Sequence, residues 1–291
     1  MVRERALLPQ GGTHKVSLKI HEIEPELLHN PTESEDLSTY IGWGSFGVVC
    51  IQIYRGIKVA VKELLPRSVV ADVRHEAEIL ALFCHPYLPL LFGVSTSTQP
   101  YRIVMQCHGF REKGTSVTLQ NALSSPGEVH NEEVMVMLCI QFMEAIRYLH
   151  DDAKVLHNDL KCNNILVCDS VAEPPALSST ETCVQILIID FGKATSIENG
   201  KHYRLSEIEK AEYIQCYSHI SPEVIEGLSR QTTMSDMYAV GGILQRVASS
   251  GILTTYEIRM AIDNLATKCR SPKYLSRPPA HKVLDSLQLI M

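Results

Sequence analysis

The sequence predicts an α+β fold, with strands in the first third of the chain and helices in most of the rest. Runs rich in β-branched residues, such as Val48–Tyr54 and Lys58–Lys62, are separated by a turn signal and indicate paired strands. Residues 68–84 carry an early helical period, and beyond about Leu119 the apolar spacing becomes helical, with a long amphipathic helix near residues 134–149. Strands gathered ahead of helices are typical of an α+β protein.

The composition describes a chain that can bury a sizeable core. It has 291 residues, 45% of them hydrophobic, and a formal net charge of −6, which argues against a nucleic-acid partner. Its nine cysteines are odd in number and form no CxxC pair, so reduced thiols are expected. No signal core follows the N-terminus, and no apolar run approaches the ~20 residues that span a bilayer. We therefore expect a soluble cytoplasmic protein without a membrane span, and the oligomeric state is left open.

Three glycines form the first chemically informative stretch. Gly42, Gly44 and Gly47 follow Ile41 with the spacing G-x-G-x-x-G, which lets a backbone turn tightly and approach phosphates. A strand-type run that includes Val49 comes next, whereas a dinucleotide-binding fingerprint would be followed by a helix. The pattern favours a phosphate-covering hairpin, and an ordinary hairpin turn is the alternative.

The next two elements offer a lysine and a glutamate as candidate site residues. Side chains alternate along a strand, so Ala60 and Lys62 share one face, where the alanine leaves room for a flat ring and the lysine can reach phosphate oxygens. Glu76 lies on the inner edge of the following helix, and a buried glutamate needs a cation. Solvated side chains are the alternative reading, and Glu78 is the competing partner.

The stretch from His157 to Gly192 carries the strongest chemical signal. It contains two apolar runs that look like buried strands. If they pair as a hairpin, Asn164 and Asp190 come together, and oxygen ligands of this kind suit Mg²⁺. Asp159 on the preceding loop could accept a proton from a nucleophile. This is the layout of a phosphoryl-transfer site, and two unrelated turns are the alternative.

These residues resemble the signature motifs of eukaryotic protein kinases. The catalytic loop reads H-x-D-L-K-x-x-N from His157 to Asn164, and D-F-G follows at Asp190–Gly192. The other matching segments, in chain order, are the glycines of 42–47, the V-A-V-K run that ends at Lys62, the S-P-E triplet that ends at Glu223, the S-D-x-Y segment with Asp236, and the late Arg277.

The resemblance implies a bilobal protein kinase fold. A small β-rich N-lobe with one helix would comprise about residues 36–108, and a larger helical C-lobe about residues 109–291. Residues 1–35 would form an N-terminal extension to which no chemistry is assigned. The polar insert at 169–182 would be a surface excursion, either a passive loop or a phosphorylated one.

The resemblance also implies transfer of the γ-phosphoryl group of ATP to a Ser or Thr hydroxyl of a protein substrate. Asp159 would orient or deprotonate the acceptor hydroxyl, and Lys161 would neutralise charge on the γ-phosphate. Lys62, held by Glu76, would position the phosphates. These four side chains are the implied catalytic set.

ATP and Mg²⁺ are the implied cofactors. Asn164 and Asp190 would hold the Mg²⁺, as the spacing of the residues already suggests. The residues implied to contact ATP are Ile41, Gly42, Gly44, Gly47, Val49, Ala60, Lys62, Met105, Gln106, His108 and Leu166.

Several further residues are implied to be structural. His157 would stack with Phe191, Leu80 and Leu91 in an apolar column that links the lobes, and would not act as a base. Asp236 would cap the backbone of the catalytic loop. Glu223 and Arg277 would form a buried ion pair.

Two departures from the family pattern bear on regulation and specificity. Asn158 replaces the usual arginine that pairs with a phosphorylated activation segment, so activity is expected to be constitutive or controlled otherwise. Cys216 stands seven residues before Glu223, where threonine or proline is usual, whereas Lys161 is a Ser/Thr-type feature. The alternatives are a pseudokinase that binds nucleotide or acts as a scaffold, a small-molecule kinase, and a tyrosine or dual-specificity kinase.

Overall fold

A computed structural model describes residues 19–31, 40–44, 47–109, 115–125, 131–170 and 184–291. These residues form a β-rich part followed by a larger helical part, which confirms the predicted α+β fold with two lobes. The tip of the glycine-rich turn, most of the polar insert and most of the predicted extension lie outside the described residues. So does residue 36, and the domain boundary there stays a prediction.

The first lobe is an antiparallel sheet with one helix against it. Its strands occur in the order β1-β3-β4-β6-β5, with β2 paired to β3. The strands are β1 (Leu28–His29), β2 (Tyr40–Gly44), β3 (Gly47–Tyr54), β4 (Ile57–Leu64), β5 (Leu91–Ser95) and β6 (Arg102–Gln106), and the helix is α1 (Val70–Leu80).

Strand register decides which side chains face the helical lobe. Lys62 pairs with Val49 across β3 and β4, and Ala60 pairs with Met105 across β4 and β6. The intervening Val61 is fully buried on the opposite face of the sheet, in a separate apolar cluster. The alternation predicted for β4 is therefore present, with Ala60 and Lys62 on one face.

The second lobe is mainly helical. Two long helices, α3 and α6, supply much of its core, and α8 packs on α3 while α7 packs on α6. Its helices are α2 (Leu119–Ser124), α3 (Glu132–Arg147), α4 (Glu207–Cys216), α5 (Pro222–Ile225), α6 (Thr233–Ala248), α7 (Tyr256–Cys269) and α8 (Ala280–Gln288), and its short strands are β7 (Val117–Thr118), β8 (Val155–Leu156), β9 (Ile165–Asp169), β10 (Val184–Ile188) and β11 (Thr195–Ser196).

Local chemistry explains where the principal helices begin. Asn131 caps α3 by accepting a hydrogen bond from the backbone N–H of Glu133 at 2.8 Å. Asp72 accepts one from the N–H of Val69 at 2.9 Å at the start of α1. Val69 fits the helical apolar period of residues 68–84, but it is 57% exposed because it lies just before the first residue of the helix.

Strand β5 is shorter than the apolar run in which it lies, a run that the sequence alone would assign to a strand throughout. The apolar run Leu88–Val94 pairs with β6 only from Leu91 onward. Pro89 has no N–H to donate to a ladder, which explains why pairing does not begin with this run. Leu88 is buried in the main core instead.

Residues 19–31, here called the strap, cross the outer face of the sheet from β5 to β3. The strap forms a parallel bridge between Glu22 and Val94, and its β1 pairs with β3 at the other end. Ile23 is fully buried among side chains of the outer face. Gly93 permits this close approach, because a Cβ there would lie 2.4 Å from the carbonyl oxygen of His21. Part of the predicted extension is therefore packed on the first lobe.

If the strap contributes to the core, trimming Ile23 should weaken the fold. We expect Ile23→Val to reduce the free energy of unfolding by about 0.5–1.5 kcal/mol, the usual effect of deleting one buried methylene. Urea unfolding followed by circular dichroism measures this change. Leu27→Ala is the control within the same segment, since Leu27 is 43% exposed, and we expect a change within about 0.5 kcal/mol. Equal stability of the Ile23 variant and the wild type would contradict the packing role.

No helix in the part of the chain that the structure describes is long and apolar enough to cross a membrane.

Candidate active site

The central pair of strands forms the predicted hairpin. Strands β9 and β10 are antiparallel, with Ile165 opposite Ile188, and the N–H of Ile189 donates to the carbonyl of Asn164 at 2.9 Å. Asn164 therefore lies beside the strand end that leads into Asp190. The backbone of Asp190 has φ +67°, a left-handed conformation that aspartate adopts more easily than most residues.

One buried carboxylate anchors the backbone at the start of the catalytic loop. Asp236, at the start of α6, accepts hydrogen bonds from the backbone N–H groups of His157 at 2.9 Å and Asn158 at 3.0 Å. It also lies 3.1 Å from Nε2 of His150. Burial opposes the charge on Asp236, but these donors outweigh burial and lower the pKa of the carboxyl. The predicted capping contact is present.

His157 is placed as a structural residue. Its ring is fully buried, with Nε2 at 3.1 Å from the carbonyl oxygen of Ile189 and Nδ1 accepting from the N–H of Asp159 at 3.2 Å. These contacts use both ring nitrogens of a neutral imidazole, and burial lowers the pKa of His157.

The apolar column around Phe191 differs in part from the prediction. The Phe191 ring lies 4.7 Å from the rings of His157 and Phe83, measured between centroids. Leu80 belongs to the same continuous core and Leu91 packs against it, whereas Phe83 is a member that the family motifs do not indicate. That core contains side chains of both lobes, so the column joins them.

Asp159 is surrounded by four donors. Its Oδ2 accepts from Lys161 at 2.9 Å and Asn164 at 3.1 Å, and its Oδ1 accepts from Lys193 at 2.9 Å and His219 at 3.0 Å. Burial alone would raise the pKa of Asp159, but the hydrogen bonds from His219, Lys193 and Lys161 hold it well below its usual range. The carboxylate is therefore ionised at neutral pH.

Lys62 lies between two carboxylates. Its Nζ donates to both oxygens of Glu76, at 2.8 and 2.9 Å, and to Oδ1 of Asp190 at 2.8 Å. Lys62 and Glu76 are both buried. Burial opposes the charge on Lys62, but the two carboxylates outweigh burial and raise its pKa. The predicted pair is formed by Glu76, not by the competing Glu78.

A cavity of about 450 Å³ lies between the lobes and gathers most of the predicted nucleotide contacts. Its size is in the range of small-molecule pockets. Gly44 ends β2, and its placement relative to the cavity lies outside what the structure describes. The predicted residues that do are Ile41, Gly42, Gly47, Val49, Ala60, Lys62, Glu76, Met105, Gln106, His108, Lys161, Asn164, Leu166 and Asp190.

Five polar residues of the site, counted among the described residues, were not anticipated, and one of them is Asn163, which lines the cavity beside Asn164. Ser116 and Thr118 line the cavity near the start of α2, and Lys193 and His219 contact Asp159. Lys193 directly follows the D-F-G triplet, and this adjacency was a signal that could have been used. The sequence offers no comparable signal for His219, which is 60 residues from Asp159.

Asn158 adds neutral contacts between the catalytic loop and the segment after Asp190–Gly192. The side-chain amide of Asn158 donates to the carbonyl of Lys193 and to Oγ1 of Thr195, both at 3.1 Å. Cys216, the residue seven before Glu223, ends α4 and is exposed. Position 158 thus bonds uncharged groups of the chain itself.

The S-P-E triplet is anchored as predicted. Glu223 and Arg277 form two hydrogen bonds, Nη1 to Oε1 at 2.6 Å and Nη2 to Oε2 at 2.8 Å. The Arg277 side chain is fully buried. This bidentate pair joins α5 to the loop before α8.

Comparison of the sequence with known protein families finds a match over most of the chain. A family model described as "Protein kinase domain" matches residues 36–287. The chain is 29% identical over 217 residues to mitogen-activated protein kinase kinase kinase 10 of Xenopus laevis, which covers 72% of this chain and 19% of that protein. It is 31% identical over 139 residues to serine/threonine-protein kinase VIK of Arabidopsis thaliana, covering 46% and 30%.

A relative named for tyrosine is also similar. The chain is 25% identical over 263 residues to tyrosine protein-kinase src-1 of Caenorhabditis elegans, covering 86% of this chain and 45% of that protein. The chain spans less than half of the length of each of these three relatives.

Proposed function

Because the chain belongs to the protein kinase family, we propose that it transfers the γ-phosphoryl group of ATP to a Ser or Thr hydroxyl of a protein substrate, with Mg²⁺. One observation carries this proposal. The ionised Asp159 contacts Asn164 and Lys161, which line the interlobe cavity together with Lys62 and Asp190. The closeness of the side chains to which we assign phosphoryl transfer supports the proposal.

The cavity is suited to a nucleotide. Apolar side chains such as Val49, Met105 and Leu166 line it and could enclose a flat base. Both ring nitrogens of His108 are buried and have no hydrogen-bond partner among the described residues, so a bound nucleotide could supply one. Lys62, which also lines the cavity, would face the phosphates as a fixed positive charge.

The donor set is also suited to Mg²⁺. Asn164 and Asp190 both line the cavity and offer oxygen ligands, which magnesium prefers. No three His, Cys, Asp or Glu side chains gather as a metal site in the described parts of the chain, so phosphate oxygens and water would complete the coordination. Bound Mg²⁺ would neutralise charge that develops on the phosphates.

The low pKa of Asp159 favours orientation over strong base catalysis. Phosphoryl transfer passes through a loose transition state, so a kinase relies on positioning and electrostatics more than on early deprotonation of the acceptor. Asp159 would accept a hydrogen bond from the acceptor hydroxyl and take its proton late. Lys161, which is near enough to Asp159 to donate to it, would then stabilise the transferring phosphoryl group.

The choice of Ser or Thr rests on residues of the catalytic loop. Lys161, two residues after Asp159, is the Ser/Thr-type feature, and two of the relatives described above are serine/threonine or MAP kinase kinase kinases by name. Tyrosine or dual specificity is the variant that the src-1 similarity supports. The cytoplasmic location stays a prediction.

The test is phosphate transfer from labelled ATP·Mg²⁺ to a degenerate Ser/Thr/Tyr peptide mixture, followed by identification of the labelled residue. Label on Ser or Thr would support the proposal, and label on Tyr alone would replace the acceptor class. No label, together with a nucleotide-dependent rise in Tm, would favour the pseudokinase alternative.

The variant Lys62→Met tests the role of Lys62 in the same assay. We expect transfer to fall by about 10²–10³-fold, as when one preorganised electrostatic contact to the reacting group is removed. The fold should survive, since the remaining Glu76 can take up a proton and avoid a buried charge. Initial rates and thermal unfolding measure the two effects. A full transfer rate in the folded variant would disprove the role given to Lys62.

A further inference from the structure

The two oxygens of Asp159 face different parts of the molecule. A carboxylate offers about four lone-pair positions, and four donors contact this one. The donors to Oδ2, Lys161 and Asn164, line the interlobe cavity. The donors to Oδ1, Lys193 and His219, come from the segment between the D-F-G and S-P-E triplets.

In this arrangement, nucleotide binding could free only Oδ2 of Asp159 from one of its hydrogen-bond donors. Lys161 lines the cavity, so a γ-phosphate there would attract it away from Oδ2 and open a lone pair toward the acceptor hydroxyl. Oδ1 has no partner on the cavity side among the described residues. It would therefore keep its contacts while the reaction proceeds.

We propose that His219 is a positioning residue, whose Nε2–H fixes Oδ1 of Asp159 so that Oδ2 is aimed at the acceptor hydroxyl. The inference rests on the proposed kinase function and deepens it, because it assigns a role to a residue outside the recognised motifs. Among the described residues, His219 does not line the interlobe cavity, and it would act through its hydrogen bond to Asp159.

His219 is itself held in place by aromatic packing. Its ring lies edge-on to Tyr217 at 6.2 Å, Tyr217 lies 4.9 Å from Tyr213, and Tyr213 lies 5.9 Å from Tyr203, all between centroids. The His219 side chain is only 16% exposed. These rings connect α4 to Asp159. The position of the Asp159 carboxylate therefore depends on how well the segment that carries these rings is ordered.

The chain departs from the usual kinase pattern at both neighbouring control points. Asn158 replaces the arginine that would bind a phosphorylated segment. Cys216 is exposed at the end of α4 and is not among the four residues that donate hydrogen bonds to Asp159. The hydrogen bond from His219 to Asp159 offers a direct link between segment and catalytic loop that needs no phosphate group.

The experiment compares three variants by steady-state kinetics with ATP and peptide. We expect His219→Leu to lower kcat by roughly ten- to a hundredfold, as for loss of one hydrogen bond to a charged group. KM for ATP should stay within about twofold, because His219 does not line the cavity. His219→Gln keeps an N–H donor near the position of Nε2 and should recover most of the lost kcat. His202→Leu, an exposed histidine in the same segment, should match wild type.

Each outcome decides the inference. A His219→Leu enzyme as fast as wild type, or faster, overturns it and leaves the kinase function intact. Equal losses in the Leu and Gln variants at unchanged Tm also overturn it, since the donor would then be irrelevant. If wild type transfers no phosphate to any acceptor, the proposed function fails, and the positioning role fails with it.

Discussion

Asp159→Asn should lower phosphate transfer by about 10²–10⁴-fold, the range for loss of a positioned acid–base group. The asparagine has nearly the same shape, but it carries no charge, and only one of its terminal atoms can accept a hydrogen bond. Four donors now converge on a carboxylate, so the substitution would disturb the orientation of the acceptor together with the electrostatics. Initial rates with labelled ATP measure the loss.

ATP affinity should change little in the same variant. Asp159 does not line the interlobe cavity as described, so we expect nucleotide affinity, measured by isothermal titration, to stay within about threefold. Asp151→Asn is the matched control, because Asp151 is exposed on the turn before the catalytic loop, and its rate should equal that of wild type. Substantial turnover by Asp159→Asn would contradict the role of this carboxylate.

Arg277→Met should reduce the free energy of unfolding by about 3–5 kcal/mol, the usual effect of removing one partner of a buried ion pair. The guanidinium donates twice to Glu223, once to the carbonyl of Met234 at 2.8 Å and once to that of Ser271 at 3.0 Å. A methionine satisfies none of these acceptors and leaves the Glu223 carboxylate buried without its cation. Such a loss is a large part of the 5–15 kcal/mol that stabilises a typical domain.

Urea unfolding of matched variants separates the ion pair from general effects of the substitution. Arg259→Met, at an exposed position of α7, should change stability by less than about 0.5 kcal/mol. The double variant Glu223→Leu/Arg277→Met should be more stable than Arg277→Met alone, because it leaves no unpaired charge. A loss below about 1 kcal/mol in Arg277→Met would show that the pair is not a principal anchor.

The parts of the site that were predictable follow from short-range regularities. Strand alternation places Ala60 and Lys62 on one face, and the helical period places Glu76 on the inner edge of α1, where a buried carboxylate requires a cation. The hairpin that brings Asn164 beside Asp190 follows from two apolar runs of similar length. Each of these inferences needs only the geometry of one or two neighbouring elements.

The contacts that were missed depend on the path of irregular chain. His219 reaches Asp159 across 60 residues through a segment without a strong period, so no spacing rule predicts the contact. The strap follows the outer face of the sheet through one bridge and a two-residue strand, which is too little regular structure to leave a clear pattern. The late start of β5 reflects one proline, whose effect depends on whether its position must donate to a neighbour.

The strap has a consequence for self-association. Strand β5 lies at the edge of the sheet, and the strap occupies that edge through hydrogen bonds from Ile23 to Val94 and from Val94 to His21, at 2.7 and 2.9 Å. An uncovered edge strand is a template on which other chains can add strands and aggregate. A chain shortened to the residues that match the family model would lack the strap and expose this edge. With the strap in place, Val94 of this edge already has its backbone partners and is not open to a strand from another chain.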